Sequence, residues 1–266
     1  MTRRLISLLT VLFLLLTATA ALADGDKLAE LTARGSIIIA TEGEWAPWTY
    51  HDETTEELVG FDVEIARAVA DKMGLAPDFI EGVWEGLLMG LDNGMYDIMA
   101  NGVEITPERE EKYDFSAPYA YLNTVLIVRG DNEDIHSFED LKGRKTANSG
   151  GSTYEQIASD YGADTRLVST LAQTMEEVLN GRVDATLNAE LSFYDFMTEH
   201  PEANLKIAAI SAEPSLVAFP VLKSDDNASL LAALNEAVEA LRADGTLSAI
   251  SEKYFGIDIT IAPEAE

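Results

Sequence analysis

Short apolar runs and helical periodicities alternate along most of this chain. Residues 36–41 (SIIIAT) are a continuous apolar run of the length that a buried strand needs. In residues 62–73, Ile65, Val69 and Met73 recur at four-residue spacing, which places them on one face of an amphipathic helix. The next segments predict a strand at 77–80, a helix at 84–91 and a strand at 96–100. This βαβαβ order favours a largely parallel sheet covered by helices on both faces.

The same alternation continues through the second half of the chain. Further strands are predicted at residues 123–128, 145–148, 183–187 and 215–221. Further helices are predicted at residues 137–141, 152–161, 171–180, 191–199, 225–243 and 247–254. The segments near 121–125 and 214–218 lack the Pro/Gly-rich composition of a flexible linker. Length alone leaves open whether the chain forms one large domain or two small ones.

The first 23 residues predict a secretory signal peptide. Arg3 and Arg4 precede the apolar run 5–16, and Ala21 and Ala23 supply a small-residue cleavage site, so Asp24 is the expected first mature residue. The apolar run is too short for a membrane span. The chain has no cysteine, so we expect no disulfide and no lipid anchor, which favours an unanchored product in a Gram-negative periplasm.

The composition is strongly acidic, with 47 Asp and Glu against 18 Lys and Arg and a formal net charge of −29. This sign excludes nucleic acid and anionic membrane surfaces as partners. Two interpretations stay open: solubility, including in a saline habitat, and steering of a cationic ligand, which salt would weaken. No P-loop, nucleophile elbow or dinucleotide fingerprint occurs, and the three histidines lack metal-ligand spacing, so we expect no metal and no cofactor.

The segment 96–118 (YDIMANGVEITPEREEKYDFSAP) joins an apolar run to a helix start. Thr106 is placed to cap a helix that begins at Pro107, and Arg109 follows within the first turn. Backbone amides near Asn101 and Gly102, together with the planar guanidinium of Arg109, suit the two oxygens of a small carboxylate. The segment therefore predicts a site for a carboxylate ligand.

A second candidate for anion binding lies at residues 150–154 (GGSTY). Gly150 and Gly151 permit a close backbone approach, and a helix capped by Ser152 or Thr153 would point its first amides at an anion. An ordinary glycine-rich turn with a Ser/Thr cap is the alternative interpretation.

These two segments resemble the signature of the extracytoplasmic amino-acid-binding proteins of ABC importers, solute-binding protein family 3. The resemblance runs from about residue 37 to 255, and further family-like motifs follow in order: WAPW at 45–48, LVGFD at 58–62, DLKGR at 140–144, NGRVD at 180–184 and RADGT at 242–246. It implies a two-lobed α/β fold of the type II periplasmic-binding-protein class, in which two hinge strands join lobes that are mostly parallel sheets flanked by helices. Lobe one would comprise residues 24–122 and 217–266, and lobe two residues 123–216.

The resemblance also implies roles for individual side chains. Arg109 would bind the ligand carboxylate from lobe one, with backbone near Asn101 and Gly102 beside it. From lobe two, Ser152 and Thr153 would contact the same carboxylate, and Tyr154 would lie at the edge of the pocket. Trp45 and Trp84 would form walls for the ligand side chain, whereas Trp48 is expected in the core.

The position that binds the α-ammonium departs from the family pattern. Many members carry an Asp where this chain has Ala189, and commonly Thr or Ser where it has Glu104. A buried ammonium needs an acid, so we hypothesise that Glu104 supplies it, with Asn188 and Glu190 as alternatives. A Glu104–Arg109 pair that only orients the arginine is the competing interpretation.

The implied function is capture of an amino acid by lobe closure and its delivery to an ABC transporter membrane permease, by a monomer that is not an enzyme. Cationic, aromatic and amide amino acids all remain open as ligands. The alternative is a secreted cyclohexadienyl (arogenate/prephenate) dehydratase on the same fold. In such an enzyme Glu104 or Glu190 would protonate a leaving hydroxyl, and Arg109 would bind a substrate carboxylate.

Overall fold

The computed structural model describes residues 25–262, and the predicted signal peptide lies outside them. The strands are β1 (Ser36–Thr41), β2 (Glu44–Trp45), β3 (Thr49–His51), β4 (Leu58–Val59), β5 (Ala76–Glu81), β6 (Ile98–Met99), β7 (Tyr113–Phe115), β8 (Ala120–Leu122), β9 (Thr124–Arg129), β10 (Lys145–Asn148), β11 (Asp164–Leu167), β12 (Ala185–Ala189), β13 (Leu205–Ile210), β14 (Ser215–Val217) and β15 (Pro220–Leu222). The α-helices are α1 (Lys27–Arg34), α2 (Phe61–Lys72), α3 (Trp84–Asp92), α4 (Pro107–Glu110), α5 (Thr153–Asp160), α6 (Leu171–Leu179), α7 (Glu190–Glu199), α8 (Ala228–Ala243) and α9 (Thr246–Phe255). Short 3₁₀ helices form at Phe138–Leu141 and Asp225–Asn227.

The first lobe is built on the parallel sheet β5–β1–β6. Its central strand, β1, is the apolar run at 36–41, and Ile37 and Ile39 are fully buried on it. The four-residue spacing of α2 turns Ile65 and Val69 into the same core. The two C-terminal helices return to this lobe, because Leu234 of α8 packs in the cluster that contains Ile37.

The second lobe is built on the sheet β11–β10–β12–β9–β13. Strands β11, β10 and β12 are parallel, as predicted, whereas β9 is antiparallel to both of its neighbours, β12 and β13. Val125, Ile127 and Phe193 are among the residues that form its core. The chain therefore adopts the predicted two-lobed α/β fold, with a mixed rather than mostly parallel sheet in lobe two.

One short antiparallel strand pair lies where the chain crosses between the lobes. Strand β8 pairs with β14 there, whereas the β7/β15 pair packs within lobe one. The single strand predicted at 215–221 is wrong, because the chain changes partners within it: Val217 faces Ala120, whereas Pro220 faces Phe115. The β8/β14 pair lies where the sequence placed the hinge crossings, and the residue numbers of the lobe boundaries stay a prediction.

Helix α4 begins where the sequence predicts a helix start, but it is only one turn long. Thr106 accepts a hydrogen bond from the Arg109 amide and Pro107 occupies the first turn, as predicted. The helix ends after one turn, and β7 begins at Tyr113. This turn places Arg109 beside the first-lobe sheet. No helix of residues 25–262 is both long and apolar enough to cross a membrane.

Candidate functional site

A cleft between the two lobes collects most of the predicted site residues. Backbone and side chains from both lobes line it: Glu42, Glu44, Trp45, Trp84, Asn101, Gly102, Glu104, Arg109, Ser149, Ser152, Thr153, Tyr154, Ser169, Thr170, Leu171 and Asn188. The lobes contact each other at its edges. The Gly150 amide donates to the Glu85 carboxylate at 3.0 Å, and the Trp48 indole donates to the Ser192 hydroxyl at 2.9 Å. The structure thus has the lobes closed over this cleft.

The guanidinium of Arg109 crosses the cleft. One nitrogen donates to the backbone carbonyl of Glu104 at 2.9 Å, and another lies 3.4 Å from the Gly151 carbonyl in lobe two. The guanidinium carbon lies 5.3 Å from the centre of the Trp84 ring, in cation–π range. Within residues 25–262, no carboxylate oxygen lies within 4.0 Å of its nitrogens. Arg109 is therefore a fixed cation whose charge is not neutralised by an acid in contact with it.

Trp45 and Trp84 form walls of the cleft, as the resemblance implied. Both are more than nine-tenths buried, and neither indole N–H has a hydrogen-bond partner in the part of the chain that the structure describes. Trp45 stacks on Trp48 with ring centres 5.2 Å apart. Trp48 is fully buried, which agrees with its predicted core role. Its stacking fixes the plane of the Trp45 wall.

The loop at Asn101–Gly102 shapes the floor of the cleft. Asn101 is held by Glu42, because its side-chain oxygen accepts from the Glu42 amide at 2.8 Å and its nitrogen donates to the Glu42 carboxylate at 2.6 Å. Gly102 has φ +57°, and a Cβ there would lie 2.6 Å from the Trp45 ring. The Gly102 amide donates to the buried carboxylate of Asp62. This amide therefore supports the loop and is not free for a ligand carboxylate.

The glycine-rich segment of lobe two places a helix start opposite Arg109. Ser152 caps α5 by accepting from the Glu155 amide at 3.1 Å, which selects Ser152 over Thr153 as the cap. Thr153 and Tyr154 occupy the first turn and face the cleft. The positive end of α5 thus points toward the region that Arg109 occupies, so two independent sources of positive potential converge there.

The Glu104 side chain lies at the meeting point of lobe one, lobe two and the hinge. It is only 2 % exposed, and its Oε2 has no hydrogen-bond partner among the described residues. Its backbone forms an isolated antiparallel bridge with Val217 at the end of β14. Burial raises the pKa of the Glu104 carboxyl above its ordinary range, and the positive charge of Arg109 offsets this only in part.

The Tyr154 hydroxyl is a neighbour that the Glu104 carboxyl and the Ala189 backbone share. The Tyr154 hydroxyl approaches both that carboxyl and the Ala189 amide, although it forms no well-directed hydrogen bond within residues 25–262. Asn188 lines the cleft, and its side-chain oxygen accepts from the Ala189 amide at 2.9 Å. Glu190 does not line the cleft; its carboxylate accepts from the Asn123 side chain at 3.1 Å, where the chain enters lobe two.

Sequence reasoning missed several residues that line the cleft, of which Glu42 is the most consequential. Glu42 directly follows β1, and its carboxyl faces Asn101 and the start of α3. Burial, reinforced by the charges of Glu85 and Glu44, raises its pKa to about 7 against the opposing hydrogen bond from Asn101. The sequence signal that could have identified Glu42 is its position, because an acid directly after a central strand lies at the carboxyl edge of the sheet, where ligands bind. The other missed cleft residues are Glu44, Ser149, Ser169, Thr170 and Leu171.

The cleft contains the features of a small-molecule binding site. It combines aromatic walls, one fixed cation, a helix N-terminus and buried acids between two closing lobes. Among the described residues, no group of His, Asp or Glu side chains has the arrangement to hold a metal ion.

Comparisons with known proteins agree with this geometry. The family model described as bacterial extracellular solute-binding proteins, family 3, matches residues 37–257. A probable amino-acid ABC transporter-binding protein of Haemophilus influenzae is 41 % identical over 85 % of this chain and 86 % of its own length. The L-cystine-binding protein TcyA of Bacillus subtilis is 38 % identical over 89 % of this chain and 87 % of its own length. A solved structure of an ancestral arginine-binding protein bound to arginine is similar with a TM-score of 0.77 and 33 % identity, covering 84 % of this chain and 99 % of that one.

Proposed function

The chain belongs to family 3 of the bacterial extracellular solute-binding proteins, and we propose that it captures a free amino acid between its lobes and delivers it to the membrane permease of an ABC transporter. The family assignment favours a binding protein over the dehydratase interpretation. The relatives named for amino-acid, cystine and arginine binding support an amino acid as the class of ligand.

The single observation that carries the proposal is the environment of Arg109. Its guanidinium is positioned by the Glu104 carbonyl and the Trp84 ring, while no acid of residues 25–262 forms an ion pair with it. A planar cation held in this way binds a carboxylate through two parallel hydrogen bonds. The N-terminus of α5, with Ser152 and Thr153, would close over the same carboxylate from lobe two.

The ligand ammonium would be bound by Glu104. This carboxyl is buried in the cleft, and one of its oxygens lacks a partner in the described part of the chain. The Tyr154 hydroxyl lies near both this carboxyl and the Ala189 backbone. An acid at position 104 can therefore bind an ammonium in the region around position 189. An ammonium there would neutralise the carboxylate and donate to its free oxygen.

The ligand side chain would extend between Trp45 and Trp84 toward Glu42. Aromatic faces accept apolar, planar and cationic groups, and Glu42 and Glu44 add acids to this end of the cleft. A side chain with an acidic end would be repelled. We therefore infer a preference for cationic, aromatic or amide side chains.

Capture would proceed by hinge rotation where the chain crosses between the lobes, beside the β8/β14 pair, with lobe boundaries at residues 122/123 and 216/217. The ligand docks on lobe one through Arg109 and Glu104, and lobe two then closes. The Glu85–Gly150 and Trp48–Ser192 hydrogen bonds join the lobes in the closed structure, and closure would be stabilised by them. The ligand stabilises the closed form by the contacts that it gains from lobe two.

The setting that fits this role is the periplasm. An exported, unanchored monomer would bind its ligand there and present the closed form to the permease. Members of the matched family are extracellular solute-binding proteins, which supports a location outside the cytoplasm.

A thermal-shift screen of the proteinogenic amino acids, L-cystine and opines tests the proposal, because a ligand that binds the folded state raises its melting temperature. We expect a concentration-dependent rise with at least one amino acid, and the same rise to disappear in Arg109→Met.

The matched control is Arg67→Met, because Arg67 also lies over an aromatic ring, that of Phe79, but outside the cleft. No shift with any compound would overturn the proposal, and conversion of arogenate or prephenate to an aromatic product would favour the dehydratase instead.

A further inference from the structure

The Glu104 carboxyl is a buried acid with unused hydrogen-bonding capacity. Its side chain is 2 % exposed and lines the cleft, and its Oε2 finds no partner in residues 25–262. An ionised carboxylate in such a place is costly, because it loses water without gaining full compensation. The molecule therefore needs either a proton or a cation at this oxygen when the lobes are closed.

The surroundings of the carboxyl supply only partial compensation. From α4 it faces Arg109, whose nitrogens lie beyond 4.0 Å of its oxygens. From α5 it faces Thr153 and Tyr154, and from β14 it faces the Ser215 hydroxyl. The three hydroxyl groups favour the ionised carboxylate and lower its pKa, but they carry no charge, so Arg109 is the one formal charge among these groups and burial remains the larger effect. Because that guanidinium donates to the Glu104 carbonyl and lies close to the Gly151 carbonyl, it is not placed to neutralise the carboxylate directly.

Lobe closure changes the solvation of this group. Thr153 and Tyr154 belong to lobe two, whereas Glu104 and Arg109 belong to lobe one. When the lobes separate, water replaces the lobe-two groups and solvates the carboxylate. Closure removes that water, so the ionised form becomes unfavourable unless a cation enters together with the lobe.

We propose that Glu104 exchanges a proton for the ammonium of the ligand, so that the closed protein holds one or the other at this carboxyl. This inference rests on the proposed function and adds a linkage to it. In the exchange the Glu104 O–H bond breaks, the proton passes to solvent, and the ligand N–H groups take its place. The raised pKa of the Glu104 carboxyl in the closed structure supports the proton-bearing form.

The exchange predicts opposite pH dependences for two kinds of ligand. An amino acid binds to deprotonated Glu104, so its affinity falls as the pH drops below the pKa of that group, by up to tenfold per pH unit. The α-hydroxy acid with the same side chain brings no ammonium, so it binds to protonated Glu104 and its affinity rises as the pH falls. Glu42 also faces the cleft. Because the two ligands carry the same side chain, the titration of Glu42 changes both affinities equally and so cancels in their ratio.

Titration calorimetry of the full-length mature protein tests this between pH 5 and 8. The probes are L-arginine, L-glutamine and L-phenylalanine, each paired with its α-hydroxy acid, in buffers of different ionisation enthalpy. We expect the α-hydroxy acid to take up one proton more than the matching amino acid on binding, because it needs Glu104 protonated and the amino acid needs it ionised. We also expect the ratio of the two affinities to change up to tenfold per pH unit. In Glu104→Gln that ratio should no longer depend on pH.

The matched control is Glu177→Gln. Glu177 is also a buried glutamate, 6 % exposed, but it pairs with Arg166 and Arg182 in lobe two and does not line the cleft. This variant should keep the pH dependence of the unmodified protein. Parallel pH dependences for the two ligands, or an unchanged ratio in Glu104→Gln, would overturn the exchange while leaving the proposed function intact. Absence of binding by every amino acid in the screen would overturn the proposed function itself.

Discussion

Arg109 is bound by the backbone carbonyl of Glu104, at 2.9 Å, and not by its carboxylate. In residues 25–262 the guanidinium has no acid within 4.0 Å. The two side chains, five residues apart in the sequence, therefore form no ion pair at contact distance, although the charge of Arg109 still lowers the pKa of the Glu104 carboxyl. The carbonyl orients the cation, the cation keeps its charge available, and the carboxyl of Glu104 stays in the cleft. The competing interpretation, a Glu104–Arg109 pair that only orients the arginine, would need a contact that this structure lacks, and the role of the Glu104 carboxyl stays a prediction.

Replacement of Arg109 by lysine should weaken amino-acid binding by about 10- to 100-fold. A lysine keeps the positive charge but loses the planar fork that binds two carboxylate oxygens at once. Titration calorimetry with the best amino acid of the screen measures the effect. Arg67→Lys is the control, because it removes a guanidinium that lies over Phe79 at 4.8 Å, outside the cleft. Equal affinity in Arg109→Lys and the unmodified protein would contradict the carboxylate role.

Replacement of Gly102 by alanine should destabilise the protein and displace the Trp45 wall. Gly102 has φ +57°, and its Cβ would lie 2.6 Å from the Trp45 ring. Gly74→Ala isolates the backbone contribution, because Gly74 has φ +70° and a Cβ added there would meet no atom of the described residues within 4 Å. We expect Gly74→Ala to lower the free energy of unfolding by about 1–2 kcal/mol and Gly102→Ala by more. Chemical denaturation checks both, and equal losses would exclude the steric contribution.

The parts of this site that the sequence predicts are those made by short segments. The Thr106 cap, Pro107 and Arg109 lie within four residues of one another, so local helix signals place the guanidinium correctly. The same holds for Ser152, which caps α5 within a glycine-rich turn. The length and apolarity of residues 36–41 likewise fix β1, because a run of that kind has few alternatives to a buried strand.

The parts that the sequence does not predict depend on contacts between distant segments. Glu42 joins the cleft because Asn101, far away in the chain, holds it there with two hydrogen bonds. Glu190 lies near the cleft residues in sequence, yet α7 begins at it and turns its carboxylate toward Asn123. The partner change between β14 and β15 is also invisible locally, since both strands share one β-type stretch.

Replacement of Ser192 by alanine should weaken ligand affinity with little effect on the stability of the open protein. The Ser192 hydroxyl accepts from the Trp48 indole at 2.9 Å, and both side chains are fully buried in the closed structure. Without the hydroxyl, closure leaves the indole N–H without a partner, at a cost of about 1–3 kcal/mol, or about 5- to 100-fold in affinity. Calorimetry measures the affinity, and small-angle scattering with ligand measures the closed fraction.

Thr198→Ala is the control for that variant. Thr198 also lies on α7, but its hydroxyl is exposed and donates to the Tyr194 carbonyl of the same helix at 2.9 Å. It should bind ligand as the unmodified protein does. A Ser192→Ala protein with unchanged affinity would show that the hydrogen bond between the lobes does not contribute to closure.

Replacement of Glu42 by glutamine should raise the free energy of unfolding above pH 7. The pKa of Glu42 is about 7 in the folded protein, against an ordinary 4.5, so between these values the folded state holds a proton that the unfolded state has released. Stability therefore falls as the pH rises through this window and levels off above 7.

Glutamine has no proton to lose, so the variant should be about 1–3 kcal/mol more stable at pH 8 and differ little at pH 5. Part of the slope should remain, because Asp62 also has a pKa of about 7. Urea denaturation at pH 5, 6, 7 and 8 checks this, with Glu252→Gln as an exposed control of equal charge change outside the cleft, and a variant that is less stable at pH 8 would contradict it.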